Sequence, residues 1–220
     1  MMDMPVFNMP VFNYEQVNKL QKNSEVNPLT PARYRQFVQH FPRKVETVLD
    51  VGCNNGRGGV VIKEMLGHSI KLYGVECVQE RIDQIPAGVY EKVFYRLADD
   101  IPLNDDSVDV VVAGEIIEHV LPGEVDAVVF ELFRILKIGG RLLMTTPNPG
   151  YLRNRIMGRS VLGDIGHVSQ HHPRAMKLRL LLAGFSRIKL RGSGRARNYL
   201  GERFPLLFPY GIYLVSADKE

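Results

Sequence analysis

The chain has 220 residues, of which 45% are hydrophobic and 24% are charged. A chain of this size can bury roughly 70% of the surface that its unfolded form exposes, which is enough for one domain with a sizeable core. No apolar run approaches the ~18 residues of a membrane span. The N-terminus lacks the positive region followed by an apolar region that marks a signal peptide. We therefore expect a cytoplasmic protein.

The N-terminal segment differs in composition from the rest of the chain. Residues 4–8 and 9–13 repeat the sequence Met-Pro-Val-Phe-Asn, which is too short for a solenoid unit and whose origin the sequence leaves open. Residues 14–39 are polar with few apolar positions, and Pro31 suits the first turn of a helix that runs to about Gln39. We predict an N-terminal arm and helix over residues 1–40 and a domain over residues 41–220.

Residues 48–56, Val-Leu-Asp-Val-Gly-Cys-Asn-Asn-Gly, indicate a buried strand that turns through glycines into a helix near Gly58. Glycine permits positive φ and close approach of the backbone to a ligand, and a helix start offers unpaired N–H donors. A second apolar strand over residues 70–75 ends on Glu76, 24 residues after Gly52. An acid at that position typically holds ribose hydroxyls. The two segments together predict a nucleoside-containing cofactor.

The spacing of the turn separates two classes of cofactor. A dinucleotide fingerprint needs Gly-x-Gly-x-x-Gly, and those positions here are Gly52, Asn54 and Arg57, so two of three fail. The stretch instead resembles the first motif of the class I S-adenosylmethionine-dependent methyltransferases, an acid followed by Gly-x-Gly-x-Gly, as Asp50, Gly52, Asn54 and Gly56. Asn54 departs from that pattern, although asparagine tolerates the left-handed conformation better than most residues.

The resemblance continues to the C-terminus in the order of the family. It implies an α/β fold, a Rossmann-like doubly wound sheet of seven strands that is mostly parallel with an antiparallel last strand. A helix with i, i+3, i+4 apolar spacing precedes the fifth strand. The segments concerned are residues 99–103 and 106–113 for the third and fourth strands, 125–136 for the helix, 137–140 for its stop, and 141–148, 185–191 and 210–215 for the last three strands.

The resemblance also implies S-adenosyl-L-methionine as the cofactor, covered by the N-terminal helical segment. Tyr14 and Tyr34 are candidate lid residues or, equally, surface aromatics. Asp99 would accept from the adenine amino group, and Asp100 competes for that role because the spacing to Ile101 is shorter than the family's usual one. The predicted cofactor contacts are Asp50, Gly52, Asn54, Gly56, Glu76, Asp99, Asp100 and Glu115.

Two histidines are candidate catalytic residues, because histidine titrates near neutrality and can act as a general base. They are His119 and His167. The spacing Glu115-x-x-Glu118-His119 also resembles the metal motif of the ubiquinone-pathway O-methyltransferases and the small-RNA 2′-O-methyltransferases, which add a downstream histidine. That likeness implies Glu115, Glu118, His119 and His167 as ligands of a divalent ion such as Mg²⁺. In metal-free relatives the same Glu-His pair only shapes the pocket.

Charge is distributed unevenly along the chain. Residues 1–150 carry 15 Lys and Arg against 20 Asp and Glu, a net of −5, whereas residues 151–220 carry 13 against 4, a net of +9. Clustered positive charge would draw in an anionic acceptor. The alternative is a solvated, solubilising face.

The sequence thus predicts a methyltransferase that uses a small acceptor. A hydroxyl acceptor fits best, since it needs the base or metal that the histidines could supply. Sugars, lipid-linked glycans, quinone precursors and secondary metabolites all remain open, as does the oligomeric state. An RNA methyltransferase is one alternative, although the chain lacks the aromatic and basic interleaving typical of base stacking. A non-catalytic module that binds S-adenosylmethionine is the other.

Overall fold

The computed structural model describes residues 12–220, so the predicted repeat lies outside the described residues except for Phe12 and Asn13. One sheet has the strand order β3-β2-β1-β4-β5-β7-β6 once its strands are numbered along the chain. Strands β1 to β5 pair in parallel, and β7 pairs antiparallel with both β5 and β6. The predicted fold is confirmed. The strands are β1 (Thr47–Val51), β2 (Lys71–Glu76), β3 (Lys92–Tyr95), β4 (Val108–Gly114), β5 (Leu136–Pro147), β6 (Phe185–Ser193) and β7 (Ile212–Lys219).

Helices cover both faces of the sheet, because successive side chains of a strand point to opposite sides. In β1, Leu49 and Val51 join a core with the helix that precedes β5, while Val48 joins a second core on the other face. No helix of residues 12–220 is long and apolar enough to cross a membrane. The helices are α1 (Tyr14–Lys19), α2 (Lys22–Glu25), α3 (Thr30–Val38), α4 (Arg57–Leu66), α5 (Gln79–Ile82), α6 (Val125–Ile135), α7 (Leu152–Ile156), α8 (Pro173–Leu182) and α9 (Arg197–Leu200).

The parallel register brings the ends of three strands to one edge of the sheet. Val51 at the end of β1 lies beside Val75 of β2 and Ala113 of β4. Glu76 and Gly114 therefore follow next to the turn that leaves β1. Ligands of open α/β sheets bind at this carboxyl edge.

The third strand lies earlier in the chain than the sequence suggested. β3 is Lys92–Tyr95, paired with β2, and residues 99–103 form no strand. Lys92–Tyr95 holds the β-branched and aromatic residues that favour strands, whereas Pro102 has no N–H for a ladder. β5 also begins at Leu136, directly after α6, so residues 137–140 are part of the strand; the register with β4 shifts there. The last strand begins at Ile212 and runs to Lys219.

The predicted helix after Pro31 corresponds to α3. Its aromatic residues Tyr34 and Phe37 are buried, and they pack with Val48 of β1 and Val61 of α4. The N-terminal α3 therefore shares a core with the sheet.

Candidate functional site

A cavity of about 770 Å³ lies at the carboxyl edge of the sheet. Its wall combines the turn after β1, the ends of β2 and β4, the N-terminal segment 14–34, and the loops on either side of α7. This volume is within the usual range for sites that bind small molecules. It is the place where the sequence predicts a cofactor and an acceptor.

The turn after β1 depends on three positions with positive φ. Gly52, Asn54 and Gly56 have φ of 70°, 51° and 82°. A Cβ on Gly52 would lie 2.2 Å from Ile116 Cγ2, so glycine is required there. Gly52 and Asn54 line the cavity, whereas Gly56 does not. The Asn54 side chain donates to Ser24 Oγ at 2.9 Å, which links the turn to α2.

Glu76 is buried at the cavity wall with its carboxylate fixed by backbone donors. Its Oε1 accepts from the N–H groups of Cys77 and Val78, both at 3.0 Å, and its Oε2 accepts from the N–H of Asn54 at 2.9 Å. Burial raises the pKa of this carboxyl, although Arg81 and the backbone donors oppose the shift. Oε2 accepts one bond and retains a further lone pair. The position suits a hydroxyl donor in the cavity.

Asp50 lies behind the turn and does not line the cavity. It is fully buried and accepts from the Tyr34 hydroxyl at 2.6 Å and the Tyr90 hydroxyl at 2.7 Å. Burial raises its pKa to about 7. Asp50 fixes α3 to β1 through Tyr34, and its expected contact with the cofactor stays a prediction. Of the two carboxylates that competed for the adenine, Asp99 lines the cavity and Asp100 does not.

The N-terminal segment lies across the cavity and is attached to it mainly by polar contacts. The Tyr14 hydroxyl donates to Glu124 and accepts from the N–H of Leu121. Arg57 at the start of α4 donates to the carbonyl oxygens of Glu25 and Asn27 at 3.0 and 3.2 Å. Tyr14 lines the cavity and Tyr34 is buried, so neither is a free surface aromatic.

A group of buried polar atoms without partners lies near the ends of β4 and β5. Arg33 of α3 passes over Gly114, where a Cβ would lie 3.1 Å from Arg33 Cδ, and its Nη2 is 3.8 Å from Glu115 Oε2. Burying an unpaired polar atom costs roughly 1–3 kcal/mol, so such a concentration is typical of a ligand site. The unpartnered atoms of the described residues here are Arg33 Nη2, Glu115 Oε1, Glu118 Oε1 and Thr145 Oγ1. Sequence reasoning missed Arg33 because no spacing rule connects α3 to the end of β4.

The histidines His119 and His167 face each other, with ring centroids 4.8 Å apart. His119 Nδ1 is 2.9 Å from the Gly166 carbonyl oxygen, and the Gln21 side-chain amide is 2.9 Å from the same nitrogen. The Gly166 carbonyl only accepts and calls for a proton on Nδ1, whereas the Gln21 amide nitrogen only donates and calls for a lone pair there, so the two contacts favour opposite tautomers. Burial lowers the pKa of His119 to about 4, which keeps the ring neutral at neutral pH.

The structure brings together three of the four predicted metal ligands. One ligand atom each of Glu118, His119 and His167 lies within 4.8 Å of the others, and Glu115 is not part of that group. Glu118 is fully buried, and its Oε2 accepts from Thr146 Oγ1 at 3.0 Å. Burial raises the pKa of Glu118 well above its usual range, and the neighbouring Glu115 carboxylate raises it further.

The basic side chains of the C-terminal third do not line the cavity. No Lys or Arg of residues 151–220 lines the cavity. The excess positive charge of residues 151–220 therefore lies elsewhere on the surface. None of these basic side chains lines the cavity in which the acceptor is expected. The Lys and Arg residues that line the cavity come from the first half of the chain: Lys22, Arg33, Arg57, Arg81 and Arg96.

Comparison with known proteins agrees with this geometry. The family described as "Methyltransferase domain" matches residues 49–144. A probable S-adenosylmethionine-dependent methyltransferase of Mycolicibacterium smegmatis is 34% identical over 103 residues, which cover 46% of this chain and 38% of that protein. Phosphoethanolamine N-methyltransferase 1 of Triticum aestivum is 25% identical over 103 residues, covering 45% of this chain and 21% of that protein. The chain thus spans less than half the length of these relatives.

Solved structures share the whole fold. A S-adenosylmethionine-dependent methyltransferase from Archaeoglobus fulgidus superposes with a TM-score of 0.72 at 21% identity, covering 92% of this chain and 99% of that chain. Phosphoethanolamine N-methyltransferase 2 of Haemonchus contortus, solved with S-adenosyl-L-methionine, gives a TM-score of 0.71 at 13% identity, covering 96% and 60%. The sheet order, the methyltransferase-domain match over residues 49–144 and these relatives support a class I S-adenosylmethionine-dependent methyltransferase.

Proposed function

We propose that this chain transfers the methyl group of S-adenosylmethionine to a hydroxyl oxygen of a small acceptor. The cofactor would be held by the turn after β1, by Glu76 at its ribose and by Asp99 at its adenine. The acceptor would lie between His119 and the loops around α7. The observation that supports this best is the neutral His119 at the cavity wall: in the tautomer that donates from Nδ1 to the Gly166 carbonyl, Nε2 is an acceptor.

The cofactor supplies an activated methyl group when bound, so the protein's task is to orient the acceptor and to exclude water. The segment 14–27 covers the cavity, which limits access of solvent. A hydroxyl is a poor nucleophile at neutral pH, and His119 Nε2 can accept its proton as the new bond forms. Five cationic side chains line the cavity, and they would accommodate an acceptor that carries negative charge.

The test is a methyl-transfer assay with labelled S-adenosylmethionine and a panel of hydroxyl, amine and RNA acceptors. With the acceptor found, His119→Gln should lower kcat by roughly 10²–10⁴, the usual contribution of a general base. Affinity for the cofactor should stay within about two-fold, since His119 acts on the acceptor side. His68→Gln, at an exposed position, is the matched control. An unchanged kcat in the His119 variant would contradict the role of a base.

A second candidate is metal-assisted transfer, which the grouping of Glu118, His119 and His167 favours. The donor set is one carboxylate and two imidazoles, which suits Zn²⁺ or Fe²⁺ better than the oxygen-preferring Mg²⁺. These residues would hold the ion, and the ion would lower the pKa of the acceptor hydroxyl. Exhaustive chelation should then abolish turnover, and one added metal should restore it. Full activity after chelation would leave His119 as a metal-free base.

A nitrogen acceptor is the third possibility, since one relative is named as a phosphoethanolamine N-methyltransferase. The cavity wall also carries carboxylates that could face a cationic amine, namely Glu115, Glu124 and Asp164. Labelling of amines rather than alcohols in the same panel would select this alternative. Tight binding of cofactor with no transfer to any acceptor would instead support a non-catalytic module.

A further inference from the structure

Two neighbouring segments expose a large share of the apolar side chains on this protein. They are residues 151–165, which contain α7, and residues 199–209, which follow from the end of α9. The N–H of Leu152 donates to the Phe208 carbonyl at 2.9 Å, so the segments lie side by side. We call them the apolar-basic surface. Half of the twenty exposed large hydrophobic side chains in residues 12–220 belong to it: Leu152, Ile156, Met157, Leu162, Ile165, Tyr199, Leu200, Phe204, Leu206 and Phe208.

A groove of about 320 Å³ lies between the two segments. Ile156, on one side, is 76% exposed, and Phe208, on the other, is 45% exposed. Tyr151 forms part of the wall of this groove and also part of the wall of the main cavity. The apolar-basic surface is therefore continuous with the candidate active site. Exposed apolar patches of this kind mark interaction sites on soluble proteins.

The same surface is rich in unpaired positive charge. Arg153, Arg155, Arg159 and Arg203 are exposed, and none of them makes a salt bridge with another described residue. The single exposed acid of the two segments is Asp164. Four of the 13 Lys and Arg residues of the C-terminal third thus lie among exposed apolar side chains.

This mixture matches the chemistry of an anionic bilayer surface. Segments that bind bilayer surfaces combine Leu, Ile and Phe with Arg or Lys, and the four exposed arginines here are accompanied by one exposed acid, Asp164. Basic side chains are attracted to anionic headgroups while the apolar ones enter the boundary of the acyl chains. We propose that the apolar-basic surface binds the surface of a bilayer that contains anionic phospholipid. This inference does not depend on the chemistry of methyl transfer.

The test is co-sedimentation of the full chain with two kinds of vesicle: phosphatidylcholine alone, and phosphatidylcholine with phosphatidylglycerol in a two-to-one ratio. The protein should sediment with the anionic vesicles and much less with the neutral ones. Binding should weaken as salt rises, because a shorter Debye length screens the arginines.

Two pairs of substitutions locate the binding surface. Arg153→Gln with Arg155→Gln should lower the partition coefficient about 25-fold, roughly five-fold for each arginine. Ile156→Ser with Phe208→Ser should lower it by at least about ten-fold, since each removes an exposed apolar side chain from the bilayer boundary. All four positions are exposed, so the fold should persist, which circular dichroism can verify.

The exposed residues of α8 provide matched controls with the same chemistry. Arg174→Gln with Lys177→Gln, and Leu178→Ser with Leu182→Ser, should leave binding within about two-fold. Equal losses in these controls, or equal binding to neutral vesicles, would overturn the proposal. So would failure to bind either vesicle at low salt. A dimer that the Ile156 and Phe208 variant dissociates would assign the surface to a second copy of the chain instead.

Discussion

Asp50 should make the stability of this protein depend on pH in a way that one substitution removes. The carboxyl is fully buried and held between the Tyr34 and Tyr90 hydroxyls. Asp50→Asn keeps the size of the side chain and both contacts, because the amide can accept from one phenol and donate to the other. It removes only the charge that ionisation would place there.

The magnitude follows from the shift of the pKa. Burial raises the pKa of Asp50 from 3.8 to about 7, and one unit corresponds to 1.36 kcal/mol, so the linkage amounts to about 4 kcal/mol. The folded-state pKa is the higher one, so the folded state holds the proton more tightly than the unfolded state. The contribution of protonated Asp50 to the free energy of unfolding is therefore fully present below pH 4 and is lost as pH rises toward 7.

The assay is urea denaturation of the wild type and of Asp50→Asn at several pH values between 4 and 8. Other groups titrate in both proteins, so the difference between their free energies of unfolding isolates Asp50. Between pH 4 and 8, the free energy of unfolding of the Asp50→Asn variant should rise by about 4 kcal/mol relative to that of the wild type, and the rise should be steepest below pH 7. Parallel curves would refute the reasoning and would mean that Asp50 is ionised in the folded protein throughout.

Two further predictions concern the cofactor turn. Glu76→Ala should weaken binding of S-adenosylmethionine by roughly 1.5–3 kcal/mol, the range for a hydrogen bond to a charged group. Calorimetry measures the affinity, and Asp83→Ala, at an exposed position, is the control. An unchanged affinity in a folded Glu76 variant would show that Glu76 does not hold the ribose. Asn54→Gly should keep the positive φ of the turn but lose the bond to Ser24, so amides of α2 should exchange hydrogen faster. Ser24→Ala also removes the bond from the hydroxyl to the Gln21 carbonyl, so it should give at least this increase. Asn54→Gly should add little to the effect of Ser24→Ala, because the two changes share one contact.

The sequence predicts those parts of the site that the sheet positions by itself. The end of β1 and the end of β2 are adjacent because parallel strands share a register, so Gly52 and Glu76 could be placed from their spacing alone. The hydrophobic period failed at β3, because Lys92–Tyr95 has only four residues. A four-residue strand is too short for a hydrophobic pattern to stand out from its surroundings.

Side-chain partners were less predictable than strands. Asp50 occupies the motif position that the family resemblance connects with the cofactor, yet its oxygens are taken by two phenols from distant parts of the chain. The positions of Tyr34 and Tyr90 in the sequence do not predict their hydrogen bonds to Asp50, because a hydrogen bond between distant segments leaves no periodic pattern. The same holds for the Gly166 carbonyl that orients His119.

The N-terminal segment supplies three side chains that complete the site, and each reaches a different element of the sheet edge. Tyr34 donates to Asp50 of β1, Ser24 bonds Asn54 of the turn, and Arg33 lies near Glu115 after β4. Tyr34 and Arg33 belong to α3, which Phe37 anchors in the core, whereas Ser24 belongs to α2. α1 and α2 bury a single residue between them, so they are held almost wholly by polar contacts, which open at lower free energy than a packed core. A glycine in place of Asn54, as in the motif of the resembled family, would give this turn more conformational freedom. The Asn54 side chain instead connects the turn to Ser24 of α2, in the segment that covers the cavity.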